Sequence, residues 1–188
     1  MSFSMPPNYN SDKIRLGMME EYKTILRPLL HYPLNLLELG IHKGGSLQYW
    51  DDFLENPETK IVGLDLELPS INVSDRVIMI KADQNDTEKL NEIAKTHGPF
   101  DFIIDDASHF AKETQNCWDI FWPSVKQGGY YVIEDWAVGY FEKSLPQYAG
   151  MVQVVTDIIL NIRKYKIGRF RIIREKGKSM AFFQKKVV

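Results

Sequence analysis

Two acidic runs carry most of the chemistry this sequence can do. They are Phe102-Ile103-Ile104-Asp105-Asp106-Ala107-Ser108-His109 and Gly128-Gly129-Tyr130-Tyr131-Val132-Ile133-Glu134-Asp135-Trp136. If Asp106, Glu134 and Asp135 meet at one point, their carboxylates repel unless a cation lies between them. An all-oxygen set favours a hard ion, Mg²⁺ first and Ca²⁺ or Mn²⁺ next, over zinc. His109 follows Asp106 by three residues. A helix starting near Ser108 places its imidazole over the same crevice, where neutral histidine takes the proton of an ion-bound hydroxyl. Asp106 and His109 are therefore the candidate catalytic residues. Adjacent strand residues point to opposite faces, so Glu134 and Asp135 share an ion only if the chain leaves extended geometry there.

A second constellation precedes these. Glu38-Leu39-Gly40-Ile41-His42-Lys43-Gly44-Gly45-Ser46 reads as a strand turning into a helix through glycines. Such a turn lets the backbone approach a ligand and aims unpaired N–H groups at it. A dinucleotide fingerprint needs glycine two residues after Gly40, where His42 stands and crowds a pyrophosphate. A cofactor without phosphate fits better. S-adenosylmethionine needs N–H groups for its carboxylate and acceptors for its ammonium and ribose, which Glu38, Gly40, Gly44 and Ser46 supply. Asp65, ending Val62-Gly63-Leu64-Asp65, is placed for the ribose hydroxyls. Asp83, ending Ile80-Lys81-Ala82-Asp83, is placed for the adenine amino group, and Asp105 joins this cofactor set.

These side chains need a scaffold that brings strand ends together. Apolar runs at Leu34–Leu39, Lys60–Asp65, Val77–Ile80, Phe100–Asp105 and Tyr130–Glu134 are strand-length, and several are apolar throughout, as buried parallel strands are. Helical stretches at Ser46–Leu54, Asn85–Thr96 and Lys112–Val125 separate them, the second with an Asn85/Glu88 capping pair. This alternation predicts a doubly wound, Rossmann-like α/β sheet. One helix is expected over Ser11–Leu30 after a loose entry, and another over Leu145–Tyr165. Phe170–Arg174 and Met180–Gln184, separated by Glu175-Lys176-Gly177-Lys178, predict an antiparallel C-terminal hairpin.

Composition sets bounds. The 188 residues suffice for one domain, residues 1–188 with an N-terminal extension and helix over 1–30. Lysine and arginine total 23 against 25 acidic residues, a net charge of −2, so whole-chain attraction to nucleic acid or membranes is not expected. The arginines of the hairpin read as a solvated face. No apolar run reaches membrane-spanning length and no secretion signal is evident, which suggests a cytoplasmic protein. The one cysteine, Cys117, falls among Trp118, Ile120, Phe121 and Trp122 and reads as a core thiol. His31, His42 and His97 read as structural or surface residues.

Through Leu37-Glu38-Leu39-Gly40, Val62-Gly63-Leu64-Asp65, the Asp105–His109 run and the Gly128–Asp135 run, the sequence resembles class I S-adenosylmethionine-dependent methyltransferases. It is most similar to the metal-dependent O-methyltransferases acting on sugars of macrolides and other glycosylated natural products, from Ser11 to Val188. The resemblance implies seven strands with a reversed last one. It implies Mg²⁺ on Asp106, Glu134 and Asp135, and a histidine base at His109 where catechol-type enzymes carry lysine. Ser11-Asp12-Lys13 resembles a Thr-Asp-Lys segment near that family's cofactor site. Ala107 replaces the family's glycine, which predicts strain if its backbone is left-handed. An auxiliary N-terminal domain is not expected, and the segment after Asp135 is short.

The expected activity is transfer of a methyl group to a hydroxyl of a sugar or diol in a glycosylated small molecule. Trp50, Trp136, Tyr140 and Phe141 are candidates for the acceptor wall, and a homo-oligomer is possible on this reading. Alternatives are a biosynthetic protein like the cephalosporin hydroxylases on the same scaffold, and a non-catalytic S-adenosylmethionine-binding partner.

Overall fold

The computed structural model describes residues 9–141, 143–175 and 177–188. In chain order the elements are α1 (Asp12–Arg15), α2 (Met18–Leu26), β1 (Asn35–Leu39), α3 (Gly45–Phe53), β2 (Lys60–Asp65), β3 (Val77–Lys81) and α4 (Thr87–His97). They continue with β4 (Phe100–Asp105), α5 (Ala111–Phe121), β5 (Val125–Glu134), α6 (Met151–Leu160), α7 (Ile162–Tyr165), β6 (Ile167–Glu175) and β7 (Lys178–Lys185). The strands form one seven-stranded sheet in the order β3-β2-β1-β4-β5-β7-β6. The first five run parallel, and β7 lies antiparallel to both β5 and β6.

Side-chain alternation divides the core into two layers. Leu37, Ile103, Ile133 and Phe183 face α4, α5 and α6, where Leu90, Cys117, Trp118 and Ile158 are buried. Leu36, Phe102, Ile104, Val132 and Phe182 face α2 and α3, against Tyr22, Leu26, Leu47 and Trp50. Apolar residues on both parities are what made these runs uniform in sequence.

Four local expectations are corrected. The Ser11–Leu30 helix breaks into α1 and α2, because Gly17 takes a left-handed φ of 71° and restarts the chain at a new angle. The cap of α4 is Asp86, whose carboxylate accepts from the Lys89 N–H, one residue later than the Asn85 pairing. Leu145–Tyr165 is interrupted by Gly150 and Asn161, leaving a 3₁₀ turn at Pro146–Tyr148 before α6 and α7. Helix α5 begins at Ala111, so His109 belongs to the preceding loop. Among the described residues, no helix is long and apolar enough to cross a membrane.

Candidate active site

The sheet order reverses between β1 and β4, and a crevice opens there beyond the carboxyl ends of the strands. It is a cleft of about 530 Å³ lined by Gly40, Asp65, Asp83, Asp106, His109 and Asp135, among others. Gly40 closes the turn after β1 at φ 82°, and a Cβ there would run into the Asp106 carbonyl and lie 2.6 Å from Ala107 Cα. The β1 turn and the β4 loop are therefore in backbone contact. The Asp106 N–H donates to the Leu39 carbonyl at 2.9 Å, fixing the same junction.

Asp65 ties down the cofactor loop. Its Oδ2 accepts from the N–H groups of Ile41 (2.9 Å) and His42 (2.7 Å). Asp83 Oδ1 accepts from the Asn85 N–H at 2.8 Å and stays on the cleft wall. Ser46 lines a smaller adjoining cavity of about 200 Å³, between residues 10–13 and the start of α3.

Glu38, Gly44 and Asp105 line neither cavity, and parity explains the two carboxylates. Glu38 follows Leu36 onto the α2/α3 face, where its Oε2 accepts from Trp50 Nε1 at 3.1 Å. Asp105 follows Ile103 onto the opposite face, accepting from the Tyr131 hydroxyl at 3.0 Å. Burial pushes the Asp105 carboxyl up to about 7, against the pull of that hydroxyl.

The candidate metal and catalytic residues separate into two touching groups. Asp106, His109 and Asp135 each offer a ligand atom, and these atoms lie within 4.8 Å of one another. His109 Nε2 sits 3.8 Å from Asp106 Oδ1 and 3.9 Å from Asp135 Oδ2. The second group is buried and centres on Lys13, only 2% exposed. Its ammonium donates to Glu134 Oε1 at 2.9 Å and to Asp106 Oδ2, and lies 3.2 Å from Glu38 Oε1. The Tyr22 hydroxyl also donates to Glu134 Oε1. Glu134 Oε2 is buried without a hydrogen-bond partner among the described residues.

Electrostatics follow from this packing. Burial alone would lower the Lys13 ammonium, but Asp106, Glu134 and Glu38 outweigh it and hold it well above the ordinary lysine range. Burial, then the Asp106 charge, pushes Glu134 up to about 8 despite Lys13 and Tyr22. Burial likewise raises Asp135, against the opposing pull of His109.

Backbone strain concentrates at the same place. Four non-glycine residues among those described have positive φ: His42 (45°), His109 (57°), Asp135 (50°) and Lys166 (54°). The first three line the cleft. Left-handed backbone costs a non-glycine residue about 1–2 kcal/mol, and such residues gather where a site needs an unusual direction. At Asp135 the chain leaves β5 geometry, as sharing an ion with Glu134 requires, but Glu134 stays in the buried Lys13 group and is not among the three residues whose ligand atoms converge. The Asp135 N–H is held by the Ser179 carbonyl of β7 at 2.7 Å. Ala107 is not among the positive-φ residues, so the strain expected there is absent.

The expected acceptor wall is also corrected. Trp50 is fully buried against Tyr22 and Tyr49, and Trp136 is a core residue. Tyr140 and Phe141 are more than half exposed. None of the four lines the cleft, whereas Phe110, Glu113 and His42 do. Cys117 is a buried core thiol, as its neighbours in sequence indicate. Lys13 and Tyr22 escaped the sequence reading as members of the buried cluster. Gln84, beside Asp83, was missed too: it accepts from the Ser108 N–H at 3.1 Å and so joins the β3 and β4 loops.

A family model described as a methyltransferase domain matches residues 37–136. The 8-demethyl-8-(2-methoxy-alpha-L-rhamnosyl)-tetracenomycin-C 3'-O-methyltransferase of Streptomyces olivaceus is 37% identical over 129 residues, 65% of this chain and 32% of that protein. The mycinamicin VI 2''-O-methyltransferase of Micromonospora griseorubida is 37% identical over 127 residues, 64% of this chain and 31% of that protein. Among solved structures, the MycE methyltransferase from the mycinamycin biosynthetic pathway in complex with Mg and SAH aligns with a TM-score of 0.78 at 28% identity. That alignment covers 97% of this chain and 56% of the MycE chain. The chain spans about a third of the length of the curated relatives it matches. With the matched segment running from β1 through the β5 acidic pair, the chain belongs to the methyltransferase-domain family.

Proposed function

We propose that the chain is a divalent-metal-dependent O-methyltransferase that uses S-adenosylmethionine to methylate a hydroxyl of a sugar or diol in a glycosylated small molecule. One observation carries this reading. Asp106, His109 and Asp135 converge at the cleft, and Lys13 ties Asp106 to Glu134, whose Oε2 is buried and unpartnered among the described residues. An orphaned buried carboxylate oxygen is costly, and a hard cation among these oxygens relieves it. Mg²⁺ is the ion of choice, held by Asp106, Glu134 and Asp135, and the relative crystallised with Mg and SAH supports both groups.

When bound, the donor supplies an electrophilic methyl group and the ion acidifies a coordinated hydroxyl. The chain's residues do the rest. Asp65 and Asp83 would hold the ribose and adenine of the donor. The helix α3 N-terminus, with Ser46, would receive its carboxylate. His109 accepts the acceptor's proton at an imidazole nitrogen, and its left-handed backbone aims the ring across the Asp106–Asp135 gap. The leaving thioether is neutral, so a single base suffices. A lone buried thiol fits a reducing, cytoplasmic setting.

Transfer of labelled methyl to a glycosylated diol acceptor, with EDTA treatment and Mg²⁺ add-back, tests the reading. Ion-dependent labelling is expected. Binding of S-adenosylhomocysteine without ion-dependent transfer would overturn it in favour of a non-catalytic cofactor-binding role.

A further inference from the structure

Lys13 is a lysine buried among three carboxylates that come from three different strand ends. The N-terminal segment that delivers it lies hard against the cofactor loop. A Cβ on Gly45 would collide with the Asn10 backbone, 2.8 Å from its nitrogen. The Tyr9 hydroxyl donates to Asp52 Oδ2 on α3 at 2.6 Å. Residues 9–13 thus form a strap across the start of α3, with Lys13 as its inward anchor.

The oxygens that Lys13 takes, and those it leaves, are divided in a telling way. It engages Asp106 Oδ2 and Glu134 Oε1. Asp106 Oδ1 is left facing His109, and Glu134 Oε2 is left buried and unpartnered among the described residues. An ammonium on one oxygen of a carboxylate fixes the direction of the other, as partners outside a metal's own ligands generally do. One ammonium thus faces carboxylates from three strand ends.

We propose that Lys13 is a positioning residue for the divalent ion: its ammonium pins one oxygen each of Asp106 and Glu134 so that the other is presented to the metal, and this link couples ion binding to seating of the 9–13 strap. The inference rests on the metal-dependent reading above and adds a part for a residue that touches neither ion nor methyl group. Ion binding rigidifies the carboxylates that hold Lys13, and a seated strap rigidifies the same carboxylates for the ion. Each event therefore favours the other.

The test is Mn²⁺ binding followed by electron paramagnetic resonance, with hydrogen exchange over residues 9–16, on the full chain without cofactor or acceptor. In wild type, Mn²⁺ is expected to bind and to slow exchange in the strap. Lys13→Met, close in length and uncharged, is expected to weaken Mn²⁺ binding at least about tenfold, the usual scale for losing such a partner. It should also alter the spectrum of the bound ion and abolish the slowing of exchange. A purely structural lysine would lower the melting temperature and leave the spectrum of the bound ion unchanged. Gly45→Ala alters no carboxylate but pushes Asn10 away, and it is expected to weaken Mn²⁺ binding through the strap alone. It decides the matter if Lys13→Met does not fold. Absence of Mn²⁺ binding in wild type would overturn the metal reading itself. Binding in wild type that either folded variant matches or exceeds would overturn the role of Lys13 and leave the metal reading standing.

Discussion

Substitution of Gly40 by alanine separates two costs that the structure assigns to one position. The first is conformational: Gly40 has φ 82°, and left-handed backbone costs a residue with a Cβ about 1–2 kcal/mol. The second is steric. The added carbon meets the Asp106 carbonyl and Ala107 Cα, both backbone, so no side-chain rotation relieves it. Overpacking of this kind costs about 1–3 kcal/mol. Together they come to about 2–5 kcal/mol, and at about 2–4 °C per kcal/mol for a chain of this size the melting temperature falls by about 4–20 °C. Gly17 provides the control, with φ 71° and nothing within 4 Å of a built Cβ. Gly17→Ala bears only the first cost, about 1–2 kcal/mol, or about 2–8 °C. Calorimetry or circular dichroism melts of both variants give the comparison. Because the relief available to Gly40→Ala is movement of the β4 loop carrying Asp106, Mn²⁺ affinity should fall with stability in that variant only. Equal melting temperatures for the two variants, or unaltered Mn²⁺ binding in Gly40→Ala, would refute the claim that the β1 turn buttresses the Asp106 loop.

His109→Gln should reduce the methyl-transfer rate by about 10²–10⁴-fold while Mn²⁺ affinity stays within about threefold of wild type; a large loss of affinity instead makes the imidazole a ligand. Asp106→Asn removes a charge shared by both clusters, and Mn²⁺ titration should show binding weakened at least about tenfold. Glu21 is held below the usual carboxylate range by the hydrogen bond that Lys178 donates, helped by Arg171. A depressed carboxylate contributes stability above its unfolded pKa and loses it as pH falls through the folded value. Glu21→Gln should therefore cost about 0.5–1 kcal/mol at pH 7, and urea melts should show the difference shrinking once pH falls below about 4 and vanishing below the depressed folded value.

Much of this architecture is legible in the residues because burial writes it there. Lys60–Asp65 and Phe100–Asp105 have the same ends in sequence and structure, being apolar runs each closed by an aspartate. The hairpin is equally plain, since the five residues between Arg174 and Met180, one of them a glycine, leave no room for a crossover. Asp106 and His109 reach the same cleft, although by a left-handed loop and not by a helix, because backbone handedness at a histidine leaves no trace in spacing. Asp105 shows the opposite case: its neighbour Asp106 serves the cleft, and strand parity alone sends it to the other layer. Lys13 is the least legible of these residues. Its partners Asp106 and Glu134 lie 93 and 121 residues away, and a lone lysine beside an aspartate has no periodicity to mark it as buried.

Strand β6 closes one side of the sheet with a backbone edge unpaired among the described residues, and nearly all its residues are exposed, Phe170 and Ile172 included. Such an edge is a template on which another chain can add a strand. Arg169, Arg171 and Arg174 interrupt those apolar positions with positive charge, so a second copy approaching in antiparallel register brings arginine towards arginine. The C-terminal hairpin thus carries its own deterrent to strand-by-strand aggregation, and neutralising those three positions should first be felt as lost solubility.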